Sequence, residues 1–164
     1  MERCSVANYK EVKLMSCVDA AYIAGLIDGE GTVTLSRKHA ADQRQLVISI
    51  SNTENEILDF VRSAVGAGKI TCKRAVKSHH TPSFAYALWN RQALSLLQQV
   101  APYLRSYKRH RARLIIDNYV RLTPRNGKYK PAQRLKRREF EDELLALRAT
   151  VAGLGRNREN IPAS

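Results

Sequence analysis

Acidic side chains are scarce in this chain: its 164 residues hold 15 Asp plus Glu against 28 Lys plus Arg, a net charge of +13 with neutral histidine. That imbalance points to a polyanionic partner. Cysteine is nearly as rare. Cys4, Cys17 and Cys72 are odd in number and stand at no metal-site spacing, which argues against both a disulfide framework and a zinc ribbon. No apolar run approaches the ~18 residues of a membrane-spanning helix. Glu2, Glu11 and Asp19 interrupt the N-terminal stretch, which lacks both a secretory h-region and the acid-poor character of a transit peptide. The expectation is an intracellular protein without membrane contact, in an organelle (chloroplast or mitochondrion) or in a bacterial or archaeal cytoplasm. With 44% hydrophobic and 26% charged residues the chain can bury a core, and its length suits a single domain over 1–164.

The charge is unevenly placed. Residues 1–36 carry three basic and five acidic side chains, whereas residues 105–138 hold thirteen Lys and Arg against Asp117 alone. This is the signature of nucleic-acid binding. A membrane surface fits less well, because residues 123–138 contain two prolines, one glycine and little apolar surface to bury in lipid.

Ser16 and Asp19 form a cap-like start to a helix over about 18–29, which Gly29 or Gly31 should stop. TVTLSRK and LVISISN alternate with period two and predict a strand pair, its loop near 39–45, with Val33, Leu35, Leu46, Ile48 and Ile50 inward. Asn52 or Thr53 should cap a second helix at about 54–65. KITCKRAVK and SFAYALWN read as another strand pair, with Ile70, Cys72, Phe84, Tyr86 and Leu88 inward. Helices at 91–100, 105–122 and 132–152 follow, with a frayed tail at 153–164. The order α-β-β-α-β-β-α, with a core over about 18–122 and a C-terminal helical extension, predicts an α+β fold around one antiparallel four-stranded sheet. One sheet face is apolar. The other should carry Thr32, Thr34, Ser36, Lys38, Ser49, Ser51, Thr71 and Lys73, and is open to a ligand. Arg44 is expected on this reading face as well. Arg109, Arg111, Arg113 and Arg137 are expected to meet phosphates or helix partners.

Two features mark the end of the first helix. Tyr22, Ile23, Leu26 and Ile27 are expected on one side, and the small residues Ala21, Ala24 and Gly25, with Asp28, on another. A mid-helix glycine costs ~1 kcal/mol relative to alanine, so Gly25 suggests close approach by another helix. A second copy of the chain across a two-fold axis supplies one most simply, the alternative being internal packing. Asp28 and Glu30 then place two carboxylates at the negative end of the helix macrodipole, where something should compensate them. A divalent cation held by carboxylate, carbonyl and water oxygens would do so, and a solvated turn is the alternative.

The run Ala24-Gly25-Leu26-Ile27-Asp28-Gly29-Glu30-Gly31 closely resembles the signature of the LAGLIDADG homing endonucleases, with Ile23 for the first Leu, Gly29 for the second Ala and Glu30 for the final Asp. The resemblance extends through the strand pair, Ser51-Asn52-Thr53, Val65-Gly66-Ala67-Gly68 and Pro102-Tyr103-Leu104, covering about 18–122. One motif in the chain is similar to the homodimeric branch. The resemblance implies a saddle of antiparallel sheets on double-stranded DNA, with the motif helices at the dimer axis. It also implies metal-dependent double-strand cleavage of a long pseudo-palindromic site, with one active site per strand.

Residue by residue, it implies that Glu30 binds the catalytic cation, Gly29 lends its carbonyl, and Asp28 lies close by and shapes the helix end. Asn52 and Lys108 are the nearest matches to the polar residue and lysine that order water around the scissile phosphate, with Ser51 or Glu54 as alternatives to Asn52. The implied cofactor is Mg²⁺, with Mn²⁺ able to substitute and Ca²⁺ binding without cleavage. A catalytically silent nucleic-acid-binding protein of the same fold, a maturase or regulator, is the alternative. His39, His79, His80 and His110 fall in loops or basic stretches with no second Cys near Cys72, which suits no zinc site, and Glu11-Val12-Lys13 has no partner acid in a strand.

Overall fold

The computed structural model describes residues 10–37, 39, 42–73, 82–124 and 128–148. Helix α1 (Cys17–Glu30) begins at Ser16, whose Oγ accepts the Asp19 N–H at 3.1 Å and satisfies one of the donors that a helix start leaves open. It passes directly into β1 (Gly31–Ser36). The junction requires glycine for space: a Cβ on Gly31 would stand 2.6 Å from Ile27 Cα and 3.1 Å from the Ser49 carbonyl oxygen. Strand β2 (Gln45–Asn52) returns beside β1, and α2 (Asn55–Val65) follows. Gly66 ends α2 in the left-handed conformation at φ 76°, its N–H donating to the Arg62 carbonyl at 2.9 Å. Next come β3 (Lys69–Lys73), β4 (Ser83–Trp89), α3 (Asn90–Val100), a 3-10 turn at Ala101–Tyr103, α4 (Lys108–Leu122) and α5 (Pro131–Ala146).

The four strands form one antiparallel sheet in the order β1-β2-β4-β3, so the fold is α+β as the alternating patterns predict. Val33, Leu35, Leu46, Ile48, Ile50, Tyr86 and Leu88 are all buried on one face. Ile23 and Ile27 of α1, Leu58 and Val61 of α2, Leu96 and Leu97 of α3, Ile115 and Tyr119 of α4, and Phe140 and Leu144 of α5 join the same core. Burial of this kind stabilises by ~25 cal/mol per Å² of apolar surface removed from water. The segment before α1 is strapped on by Gln99, which accepts the Met15 N–H at 2.9 Å and donates to the Lys13 carbonyl at 3.0 Å. Among the described residues, no helix is long and apolar enough to cross a membrane.

Several boundaries differ from the sequence expectation, each for a long-range reason. α4 starts at Lys108 and not at 105, because Asp28 captures the backbone N–H groups of Arg105 and Ser106 and holds them in a turn. α5 ends at Ala146 and not at 152: Leu147 is extended, and its carbonyl accepts from Arg111 Nε at 2.8 Å. The proposed tail at 153–164 lies outside the described residues. Neither Asn52 nor Thr53 is the N-cap of α2; Glu54 is, and Asn52 Oδ1 accepts the Glu54 N–H at 2.9 Å. Cys72 is exposed, and Ile70 and Phe84 are half-buried, because the helices cover the β3 side of the sheet less fully than its centre.

Candidate nucleic-acid interface

The end of α1 is built from two elements far apart in sequence. Asp28 Oδ2 accepts the Arg105 N–H at 2.6 Å, and its Oδ1 accepts from Ser106 Oγ at 2.5 Å and Ser106 N at 3.3 Å. Lys108 is 7% exposed; its Nζ donates to the Ile27 carbonyl at 2.7 Å and the Asp28 carbonyl at 2.9 Å. A cation on the last carbonyls of a helix complements the macrodipole and satisfies acceptors left without helical donors. Burial lowers the Lys108 pKa from its ordinary value; Asp28 opposes that shift, Arg111 adds to it and Glu30 opposes it. Both Asp28 oxygens are occupied by the turn before α4.

Glu30 differs from Asp28 in every respect. It is exposed, and among the described residues it makes no hydrogen bond or ion pair. Gly29 beside it is exposed, with open space where a Cβ would stand. The ladder pairs Gly31 with Ile50 directly after Glu30, and β2 continues past that rung through Ser51 to Asn52. Alternation puts Ser51 with Ser49 and Val47 on the polar face, and Asn52 with Ile50 and Ile48 on the other. The Asn52 side chain is bonded to Glu54 at the entry to α2, whereas Ser51 has the parity of the polar face.

Thr32, Thr34 and Ser36 of β1 alternate with buried residues as expected, and cross-strand pairing continues the face. Thr32 pairs with Ser49, Ser49 with Ala87, and Ala87 with Lys69; Ser51 pairs with Ala85, and Ala85 with Thr71. The small Ala85 and Ala87 floor the middle of this surface, and Gln45 and Lys69 are exposed on it. Both were legible from the parity of Ser49 and Thr71, and Lys69 adds a cation. Lys73 pairs with Ser83 at the end of β3; its side chain, like the whole of Lys38, lies outside the described residues.

Arg44 is not on the reading face. It has the parity of Leu46, and it turns under the sheet edge to donate to the Leu35 carbonyl at 3.3 Å and meet Glu141 at 3.6 Å. Arg111 and Arg137 are buried and bonded within the fold, taking helix and strand partners in place of phosphates. Among the described residues, the exposed Lys and Arg of the C-terminal region are Arg105, Arg109, Arg113, Arg121, Lys128, Lys130, Arg134, Lys136, Arg138 and Arg148.

The small-residue stripe is also rephased. Ala24 is completely buried in the core with Ile23 and Ile27, so it cannot line an open helix face, whereas Ala21 and Gly25 are exposed. The outward face is Val18, Ala21, Tyr22 and Gly25, and Tyr22 meets Phe60 of α2 edge-on at 5.4 Å. Among the described residues, a Cβ on Gly25 would meet nothing within 4 Å, so no close approach within them explains this glycine.

Among the described residues, no group of three or more His, Cys, Asp or Glu side chains could hold a metal ion. The donors at the motif end are the uncommitted Glu30 carboxylate and the Gly29 carbonyl. Oxygen donors of this kind fit a hard divalent cation that takes its remaining ligands from phosphate, water or a second carboxylate, and do not fit zinc.

A model of the LAGLIDADG-like domain matches residues 18–138. Among solved structures, the homing endonuclease I-CvuI in complex with its target in the presence of Ca superposes with a TM-score of 0.65 at 17% identity, covering 80% of this chain and 83% of that one. The archaeal intron-encoded homing endonuclease I-Vdi141I complexed with DNA gives a TM-score of 0.55 at 16% identity, covering 81% and 86%. Meganuclease I-SmaMI bound to DNA gives 0.57 at 16% identity, covering 74% of this chain but 42% of that one. Comparison with curated proteins yields no match. At these identities the structural likeness establishes the fold, and the domain match supplies the family: the chain belongs to the LAGLIDADG-like domain family.

Proposed function

We propose that this chain is a site-specific DNA endonuclease that works as a homodimer and makes a metal-dependent double-strand break in a long pseudo-palindromic site. The observation that carries this reading is the contrast at the end of α1, where Asp28 is consumed by structure and Glu30, two residues on, is left exposed beside a polar sheet. In the dimer each chain contributes one Glu30, so each DNA strand has its own carboxylate. Glu30 and the Gly29 carbonyl would hold a divalent cation, Mg²⁺ with Mn²⁺ as a substitute, which when bound supplies the charge that polarises a phosphate and lowers the pKa of water. Ca²⁺ would support binding without cleavage.

Ser51, on the polar face one residue past the rung that pairs Ile50 with Gly31, would offer a hydroxyl to orient water; Asn52 would act only through the turn into α2. Lys108 holds the last carbonyls of α1, fixing the direction in which Glu30 leaves the helix, and adds positive charge under the scissile phosphate. Thr32, Thr34, Ser36, Ser49, Ser51, Thr71, Lys69 and Lys73 would read base edges in the major groove, because they lie on a sheet face that the core leaves open. The exposed arginines of α4 and α5 would contribute mainly phosphate attraction. Dimerisation through Val18, Ala21, Tyr22 and Gly25 accounts for an open glycine on an exposed apolar helix face. A one-motif chain that covers 83% of I-CvuI but 42% of I-SmaMI also fits one unit of a pair.

Glu30→Gln keeps size and hydrogen bonding but removes the charge; cleavage in Mg²⁺ should fall by orders of magnitude while binding in Ca²⁺ persists, measured by plasmid cleavage beside gel-shift titration. Gly25→Leu should place a branched side chain in the helix contact and give monomers in analytical ultracentrifugation without loss of the folded subunit. The third test separates reading from attraction. Lys69→Ala should change which bases are tolerated at particular half-site positions, at ~1–3 kcal/mol per lost bidentate contact. Arg113→Ala should weaken all sequences alike and reduce the log-log salt slope by ~0.9 if its one phosphate contact is lost. Affinities for single-base site variants at two salt concentrations distinguish these results.

A further inference from the structure

Arg137 is 2% exposed and heads the large side chains that the core buries completely. Its Nε donates to Glu141 Oε1 at 2.9 Å, its Nη2 to the Arg44 carbonyl at 2.8 Å, and its Nη1 to Thr123 Oγ1. The guanidinium lies over the rings of Tyr119 at 5.3 Å and Phe140 at 5.4 Å. The second Glu141 oxygen faces Arg44 Nε at 3.6 Å, and Arg44 Nη1 reaches the Leu35 carbonyl at 3.3 Å. Tyr119, beneath the guanidinium, accepts the Leu46 N–H at 3.4 Å. One buried cation on α5 is thereby joined to both strands of the β1–β2 pair, at the end remote from Glu30.

That end is where the ladder stops. Ser36 opposite Gln45 is the last rung of the ladder; beyond it, among the described residues, His39 and Asp42 tie the two arms, the Asp42 N–H donating to the His39 carbonyl at 3.0 Å and the His39 N–H to Asp42 Oδ2 at 3.0 Å. β1 has by then travelled ~20 Å from Glu30, at ~3.3 Å per residue. A recognition group must hold its position to ~0.5 Å, so directed bonds that fix this end of the strand pair bear on recognition. A buried ion pair is weak evidence for stability, because apolar replacements of similar volume often serve equally well. Its three directed donors impose position, which an apolar side chain would not.

We propose that Arg137, with Glu141 and Arg44, is a positioning unit. It fixes the outer end of the β1–β2 pair and so sets how strictly the base pairs at the outer ends of each half-site are discriminated, without touching DNA. The proposal rests on the reading of the polar sheet face as the DNA-binding surface. It gives the C-terminal helix a task in recognition that its surface arginines alone would not suggest.

The test uses the full-length chain and the wild-type protein's preferred duplex, with every single-base variant of that duplex cleaved in competition. Two variants are compared with wild type. Arg137→Lys keeps the charge but cannot hold Glu141, Thr123 and Arg44 together; Glu141→Gln keeps an acceptor for Arg137 but gives up the ionic hold on Arg44. The expected result is a roughly tenfold loss of discrimination, within the range of one base contact, confined to the outermost pairs of each half-site. Discrimination near the centre, and kcat on the preferred site, should stay at the wild-type level. A loss spread evenly over all positions, or an unchanged profile in both variants, would overturn the proposal. If Arg137→Lys does not fold, the Glu141→Gln profile decides alone. A wild-type chain that neither binds nor cuts any duplex would instead remove the DNA-binding reading itself.

Discussion

The last turn of α1 leaves carbonyl oxygens without helical donors and concentrates partial negative charge where the sequence also places two carboxylates. The protein resolves this by bringing residues 105–108 to the helix end: Lys108 caps two carbonyls, while Asp28 draws in the N–H groups and hydroxyl of Arg105 and Ser106. Much else depends on this junction. It sets where α4 begins, and so how Ala112, Ile115 and Tyr119 meet the sheet. It fixes the geometry with which α1 enters β1 through the tightly packed Gly31. It also leaves Glu30 free of local bonds at the foot of the polar face. A cation site and a helix terminus would compete for the same acids, and under the proposed function Asp28 serves the helix end while Glu30, two residues on, would serve the cation.

The same division governs the basic residues. A chain with thirteen Lys and Arg between 105 and 138 invites the reading that all of them face a polyanion. Three do not. Lys108, Arg111 and Arg137 are buried, each with backbone carbonyls among its acceptors, so that a main-chain oxygen shares the burden of a desolvated charge. These interior cations stiffen the frame around the sheet, and the exposed remainder supplies the long-range field that would draw in nucleic acid.

Period-two alternation in the strands was legible because a half-buried sheet imposes it locally, and every inward residue of β1 and β2 follows it. Ser16 was legible as a cap for the same reason: it acts on a donor three residues away. The errors lie where local signals met distant partners. Arg137 binds a carbonyl 93 residues away and Asp28 a backbone N–H 77 residues away, and no local pattern encodes those meetings. Ala24 was grouped with Gly25 by size, although helical phase with Ile23 and Ile27 carries it inward. The choice between Asn52 and Ser51 was open to parity, since Ser51 shares the face of Ser49. The site's central acid, Glu30, came from the motif itself; its freedom from internal bonds could be seen only in three dimensions.

The account stands on the claim that Asp28 is a structural acid and Glu30 a functional one, and stability is the property in which the two roles diverge most directly. Thermal and urea unfolding of Asp28→Asn and Glu30→Gln, measured side by side without metal or DNA, separates them. Asp28→Asn should lose ~1.5–3 kcal/mol, the scale of a hydrogen bond to a charged group, because its three acceptor contacts hold the turn before α4. Glu30→Gln should unfold at or slightly above the wild-type midpoint, since neutralising an uncommitted acid at a helix C-terminus removes a small unfavourable charge. Equal losses in the two variants, or a loss in Glu30→Gln alone, would contradict the division of labour on which the account is built.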